Sequence, residues 1–239
     1  MRVTRLWRYP VKSMQGEPLQ EATIGDRGIV GDRQWALVAL ATGKALTARR
    51  EPRLLYANAR LVGTDGVEVV LTDGAVATSD EQLSAWLGYD VELRRATDKD
   101  QGTFEIATDF EHEDTSEWIS WEGPIGSFHD SGLTQVSIAS EGSFQDWDQR
   151  RFRINVILDG DGETQFIGRQ MRLGDATLNV VKPIDRCVIT TRPQPGGIER
   201  DLDVLRTINA KHAGQLGIGA LVVKGGRVAV GDEIADAHA

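Results

Sequence analysis

The chain has one cysteine, Cys187, in 239 residues. A lone thiol forms no intramolecular disulfide, which excludes a secreted disulfide scaffold and leaves three readings for it: filler, nucleophile or ligand. Long apolar runs are also missing. No segment approaches the about 18–20 unbroken apolar residues of a membrane span, and the opening "MRVTRLWRYPVKSMQGEPL" is charged throughout, unlike a signal peptide. A soluble globular protein of the cytoplasm is the expectation. The four histidines, His112, His129, His212 and His238, are scattered, and with one cysteine they give no paired CxxC or HExxH spacing, so a structural zinc site is not expected. There is no GxSxG elbow and no GxxxxGK[ST] phosphate loop, and "GIGALV" at 217–222 lacks the third glycine of a dinucleotide loop. Cys187 with His129 or His212 would make a nucleophile and base, but nothing in the sequence brings them together.

Basic charge is in deficit as well, with 27 Lys and Arg against 36 Asp and Glu and a net of −9, which argues against nucleic acid as a partner. The imbalance is local. Residues 98–122 hold nine acidic residues against Lys99 alone, which leaves the rest of the chain nearly neutral with 27 acidic and 26 basic residues. Such a stretch reads first as a solvated loop, with a domain boundary inside it, and second as an acidic docking surface for a partner protein.

What is present is mostly strand. Short apolar or alternating runs broken by Gly, Pro and Asp fill the first ninety residues, and Asp65-Gly66 between two β-rich runs predicts a hairpin. Ser79 with Gln82 resembles a capping box and Gly88 a helix stop, which predicts a helix over 80–87. Further strands are expected at 134–139, 151–158, 171–181 and 187–191, with a short helix after Ser140 and another near 202–212. A closing hairpin should turn on Gly225-Gly226. The fold class is β-rich α+β, with two β-barrel-like domains and a few short helices.

In "RFRINVIL" at 151–158 strand alternation would send Arg153 and Asn155 to one face, an arginine fork beside an amide that suits a phosphate or an oxygen-rich ring as well as a solvated edge. Lys12 in "YPVKS" and Arg33 in "GDRQW" follow stiff turns, and either reads equally as a solvated cation. The same alternation would place Asp185 and Cys187 on one side of their strand, where positive neighbours favour a thiolate and Asp185 opposes it.

Taken in order, "LWRYPVKSMQGEPLQEA", "GIVGDRQWALV", "LTARREPRL", "RFRINVILDG", "VVKPIDRCVITTRPQPGG" and "VAVGDEI" resemble the MOSC proteins, and more closely the two-part members such as the mitochondrial amidoxime-reducing component and its bacterial counterparts. The resemblance implies an N-terminal MOSC-type β domain over 1–120, including most of the acidic stretch, and a MOSC domain over 121–239. It also implies a molybdenum cofactor (molybdopterin) held between them, with the Cys187 thiolate bound to the metal. Lys12, Ser13, Arg33, Arg153, Asn155 and Arg186 fall where the family contacts the pterin and its phosphate, as does Ser131, or Thr134 if that loop is shifted. Asp185 stands where the amidoxime-reducing members usually carry a hydroxyl residue, and a carboxylate there would change the charge at the metal and offer a proton donor.

The activity implied is reduction of N-hydroxylated compounds by a molybdenum-dependent oxidoreductase. A single cysteine holds no iron–sulfur cluster, and no flavin or haem motif is recognisable, so the electrons would come from a separate reductase or ferredoxin. The alternative is a non-catalytic carrier of the molybdenum cofactor or a sulfur-transfer protein. A barrel module without cofactor is the third reading.

Overall fold

The structure, a computed structural model, describes residues 1–63 and 66–237. Its largest element is a curled eight-stranded sheet in the order Ile234–Asp236, Gln170–Leu173, Ala176–Asp185, Gln215–Lys224, Val136–Ser140, Val156–Leu158, Val3–Arg8 and Glu17–Leu19. Val156–Leu158 is fully buried because it is paired on both sides, antiparallel to Val3–Arg8 and parallel to Val136–Ser140. An unbroken apolar run suits that position, since neither face meets water. The sheet's core joins Val3, Leu6, Ala22 and Ile24 to Ile138, Leu158, Leu178 and Ile218. Hydrogen bonding therefore crosses the sequence boundary near residue 120, because strands from the first thirty residues complete a sheet made otherwise from residues 136–236.

A second core gathers Val11, Trp35, Leu37, Leu54, Leu83 and Val91 under two small sheets, Trp35–Ala39 with Val91–Arg95, and Asn58–Val62 with Gly66–Val70 and Val76–Ala77. Val62 pairs with Gly66 as the expected hairpin requires, although Asp65 itself lies outside the described residues, as does His238. The helix Asp80–Leu87 ends on Gly88 in the left-handed conformation. Its expected capping box is shifted by one residue: Gln82 Oε1 accepts from Thr78 N at 2.7 Å, while Ser79 makes no side-chain cap. The second helix is Asp203–His212, where the sequence places one.

Four expectations are corrected. Residues 151–158 are not one strand. Gln149–Phe152 form a 3₁₀ turn, Arg153 takes a left-handed conformation with φ 54°, and only Val156–Leu158 is extended, so Arg153 and Asn155 do not alternate along a strand. Nor is 187–191 a strand: Val188–Thr191 form a 3₁₀ turn with Cys187 as its N-terminal flank. The acidic stretch is not a plain loop but contains the hairpin Gln101–Ala107/Trp118–Ile125. Finally, Gly225-Gly226 does not close a hairpin. The strand Gly226–Ala229 leaves its predecessor to pair with Glu21–Gly25, and the two glycines thread a narrow passage. A Cβ at Gly225 would stand 2.6 Å from Ile24 O and one at Gly226 2.5 Å from Asp175 C.

Candidate functional site

Between the two cores lies a cavity of about 370 Å³, within the about 300–1,000 Å³ of small-ligand sites. All nine residues singled out from the sequence line it: Lys12, Ser13, Arg33, Ser131, Arg153, Asn155, Asp185, Arg186 and Cys187. Thr134, the alternative to Ser131, lines it too. Its walls carry seven Lys or Arg side chains against two carboxylates, in a chain whose net charge is −9.

The backbone is strained where it meets this cavity. Among the described residues five non-glycine residues have φ in the left-handed region, and three of them, Ser13 (68°), Arg33 (48°) and Arg153 (54°), are in its lining. Each costs on the order of 1 kcal/mol, a strain that tertiary contacts offset at functional sites. The contacts are visible. Arg33 N donates to Tyr9 O at 2.7 Å, its Nη2 to Arg153 O at 2.9 Å, and its guanidinium also pairs with buried Asp32. Ser13 Oγ accepts from Ala48 N at 2.9 Å. Arg153 Nη1 donates to Met14 O at 2.5 Å, and its guanidinium lies 4.4 Å from the Tyr9 ring centroid.

Asn155 is a structural hub. Its Oδ1 accepts from Ser137 N at 3.1 Å and Ser137 Oγ at 2.7 Å, and its Nδ2 donates to Trp7 O at 3.2 Å, which ties together the strands that meet beneath the cavity. Arg186 likewise acts on the backbone: Nε donates to Leu216 O at 2.9 Å and Nη1 to Phe152 O at 3.0 Å. Arg151 braces the turn after the thiol through Thr190 O at 3.2 Å and Glu199 O at 2.8 Å. Cys187 is half-buried, packs with Ala48, Leu55 and Ile189, and presents its carbonyl to Thr190 Oγ1 at 3.0 Å. Asp185, two residues earlier, is 67% exposed at the mouth, between Lys182 Nζ at 3.3 Å and Gln215 Nε2 at 3.1 Å.

Three lining residues carry more than the sequence suggested. Arg49 is buried, its Nη1 donates to Asp130 Oδ1 at 3.1 Å, and its guanidinium stacks 4.8 Å from the Trp121 ring centroid. Burial would lower its pKa, but the neighbouring Cys187 and Asp130 raise it overall. Asp130, half-exposed, bridges Arg49 and Lys12 Nζ, the latter also at 3.1 Å, and against its own desolvation these two cations hold its carboxyl below the usual range. His129 is buried, and desolvation lowers its pKa to about 4, so its imidazole is neutral at pH 7. Lys12 is lowered to about 8, first by burial, with its ammonium on Phe128 O at 2.7 Å and 4.0 Å from the Phe104 ring centroid. Three buried polar atoms in this lining have no hydrogen-bond partner: Arg49 Nε, Arg153 Nη2 and His129 Nε2, the last 3.8 Å from Asp32 Oδ2.

Residues 1–120 match the MOSC N-terminal beta barrel domain, and residues 127–235 match the MOSC domain. The chain belongs to the MOSC family. Among curated proteins this MOSC protein is 26% identical over 248 residues to mitochondrial amidoxime-reducing component 1 of Homo sapiens, covering 87% of this chain and 71% of that one. It is 28% identical over 244 residues to the Xenopus laevis protein of the same name, covering 86% and 70%. Among solved structures, the YUAD protein from Bacillus subtilis aligns over 98% of this chain and 93% of that one, with 14% identity and a TM-score of 0.45.

The lining fits an anionic, oxygen-rich group held partly by a thiolate. Unpaired buried donors are costly unless something accepts from them, and a surplus of buried cations calls for negative charge from outside the chain. Among the described residues no three His, Cys, Asp or Glu side chains converge, so a metal here would have Cys187 as its protein donor and take its remaining ligands from the group that carries it. Arg49 and Asp130 are not singled out by the sequence, and His129 enters there only as a base for Cys187; the fold brings His129 and Cys187 into one lining. "LTARREPRL" is among the motifs of the resemblance and "HDSG" is the loop of Ser131, but only the fold shows that Arg49, His129 and Asp130 themselves line the cavity with Cys187.

Proposed function

We propose that the cavity binds a molybdopterin-type cofactor through the Cys187 thiolate, and that the protein reduces N-hydroxylated compounds with electrons from a separate electron-transfer protein. The observation that carries this reading is the excess of buried positive charge, with unpaired arginine donors, around one thiol. The MOSC match and the name of the amidoxime-reducing relatives support it. The net reaction consumes an N-hydroxyl group, two electrons and two protons and yields the N–H compound and water.

When bound, the cofactor supplies the two-electron redox chemistry. The chain's own residues do the rest. Arg153 and Arg49 offer Nη2 and Nε to its anionic oxygens, and Ser13, Ser131 and Thr134 add hydroxyls. Arg186, directly before the thiol, anchors the chain there to Phe152 O and Leu216 O, and Arg151 holds Thr190 O in the turn after it, which together fix how the thiol is aimed. Asp185 is open to solvent at the cavity mouth, so its carboxylate can relay protons inward from water.

The test is the molybdenum and pterin content of protein purified from a host that makes the cofactor, followed by reduction of an N-hydroxylated amidine with an artificial electron donor. Near-stoichiometric metal in the parent, lost in Cys187→Ser, together with turnover is the expected result. Parent protein with no metal and no pterin would overturn the reading. Metal without turnover, but with handover to an acceptor protein, would make this a cofactor carrier.

A further inference from the structure

The acidic hairpin is anchored at one end and held by charge at the other. At its base Phe104 is completely buried with Val38, Ala45 and Phe128, and fits so closely that a Cβ at Gly102 or Gly123 would approach its ring to 2.7 or 2.6 Å. Thr103 O accepts from Ala45 N at 3.0 Å, and Lys44 Nζ pairs with Glu105 at 2.8 Å. The tip, residues 108–117, contributes to no buried apolar cluster among the described residues. It reaches the rest of the molecule through Glu113 on Arg192 at 2.7 Å and Glu111 on Arg206 at 2.9 Å.

Those contacts sit beside the thiol. Arg192 immediately follows the 3₁₀ turn that begins after Cys187, and the nitrogen that meets Glu113 also donates to Arg49 O at 2.7 Å. Arg49 stands between two spaces. Its guanidinium lines the cavity, and it also lines an adjoining cleft with Glu113, Trp118 and Arg192. Trp118 fastens the neck of the tip, with Nε1 donating to Glu113 O at 3.3 Å and the Arg50 guanidinium 4.2 Å from its ring centroid. Glu111 and Glu113 are therefore internal counter-ions, which removes them from any acidic docking surface for a partner.

We propose that the tip of the acidic hairpin is a latch on the side of the cavity, closed when Glu113 and Glu111 pair with Arg192 and Arg206 and open when a bulky anionic ligand enters or leaves. This rests on the cavity being a ligand site, and it adds the route by which that site is filled. Arg192 Nη2 ties Arg49 O to Glu113, so a shift of Arg49 toward an entering anion bears directly on the latch. The Glu111–Arg206 pair is partly exposed and the tip joins no buried apolar cluster, so it separates without exposing a core, while the largely enclosed Glu113–Arg192 pair is the firmer part of the catch.

The test uses the metal-free full-length protein and two neutral thiol reagents of the same chemistry, N-ethylmaleimide and the far larger N-pyrenylmaleimide. The ratio of their rates at Cys187 reports access and cancels changes in thiol reactivity. With Glu111→Gln and Glu113→Gln together, the pyrenyl-to-ethyl ratio should rise at least about fivefold. In the native chain it should rise by a smaller factor between about 0.05 and about 1 M salt, as screening weakens chiefly the more exposed Glu111–Arg206 pair. Glu111→Arg alone should raise it, and adding Arg206→Glu should bring it back. A ratio that stays constant across salt in the native chain overturns the latch, and that arm needs no variant to fold. Because metal and pterin content play no part, failure here is distinct from failure of the cofactor reading.

Discussion

Arg186 and Arg153 line the same cavity, and desolvation there lowers both guanidinium pKa values to about 10, yet their hydrogen bonds end in different places. Arg186 gives Nε and Nη1 to the carbonyls of Leu216 and Phe152, and Nη2 to Leu216 as well. Arg153 holds one carbonyl, Met14 O, and keeps Nη2 unpaired, as Arg49 keeps Nε. The first kind of arginine builds the turn that carries the thiol. The second kind has a donor left for a ligand. Proximity to the cavity does not separate the two roles; following each donor to its acceptor does.

The comparison breaks if both kinds respond alike, and the thiol itself sets the largest effect. Cys187→Ser should lower bound molybdenum at least about tenfold at unchanged thermal midpoint, read by elemental analysis beside a melting curve. Arg186→Gln should next destabilise the fold by about 3 kcal/mol in denaturant unfolding, since it strands buried carbonyls, and this loss should be the same with or without ligand. His129 gives a pH effect of similar size. Its pKa of about 4 in the native state lies below the ordinary 6.5, so the unfolded chain binds more protons between those values. Stability present at pH 7 should decline as the solution is acidified from 6.5 through 4, by up to about 3 kcal/mol, and His129→Gln should flatten that slope. Smallest in free energy are Arg153→Gln and Arg49→Gln, each expected to weaken cofactor retention by about 2 kcal/mol and, with a single protein acceptor lost, to lower stability by about 1–2 kcal/mol, less than Arg186→Gln. If Arg153→Gln instead unfolds the protein while Arg186→Gln only loosens the ligand, the roles are reversed.

Much of the site could be read from the sequence, because short motifs survive when the geometry around them does not. "YPVKS", "GDR", "RFRIN" and "DRC" each supply a residue to the cavity. The backbone at those motifs was not legible. "RFRINVIL" alternates like a strand, but Arg153 adopts the left-handed conformation that arginine rarely shows, held there by contacts with Met14, Tyr9 and Arg33 that are distant in sequence. The acidic stretch misled for a related reason. Its charge describes solvation, whereas its shape comes from Phe104 and Trp121, two aromatic residues that pair at 5.4 Å inside a hairpin. The Gly225-Gly226 pair looked like a turn because both turns and narrow passages need glycine.

The sheet that takes its final strands from the start of the chain also sets an order of events during synthesis. Val3–Arg8 leaves the ribosome well ahead of its neighbour Val156–Leu158, which is made some 150 residues later, and the partner of Glu21–Gly25 at 226–229 comes later still. At about 5–20 residues per second, the opening segment waits on the order of 10–40 s for its place. Until then Val3, Leu6, Ala22 and Ile24 have no core to enter. A nascent chain stopped near residue 120 should present this apolar edge to chaperones, and a full one should withdraw it only when the last strands arrive.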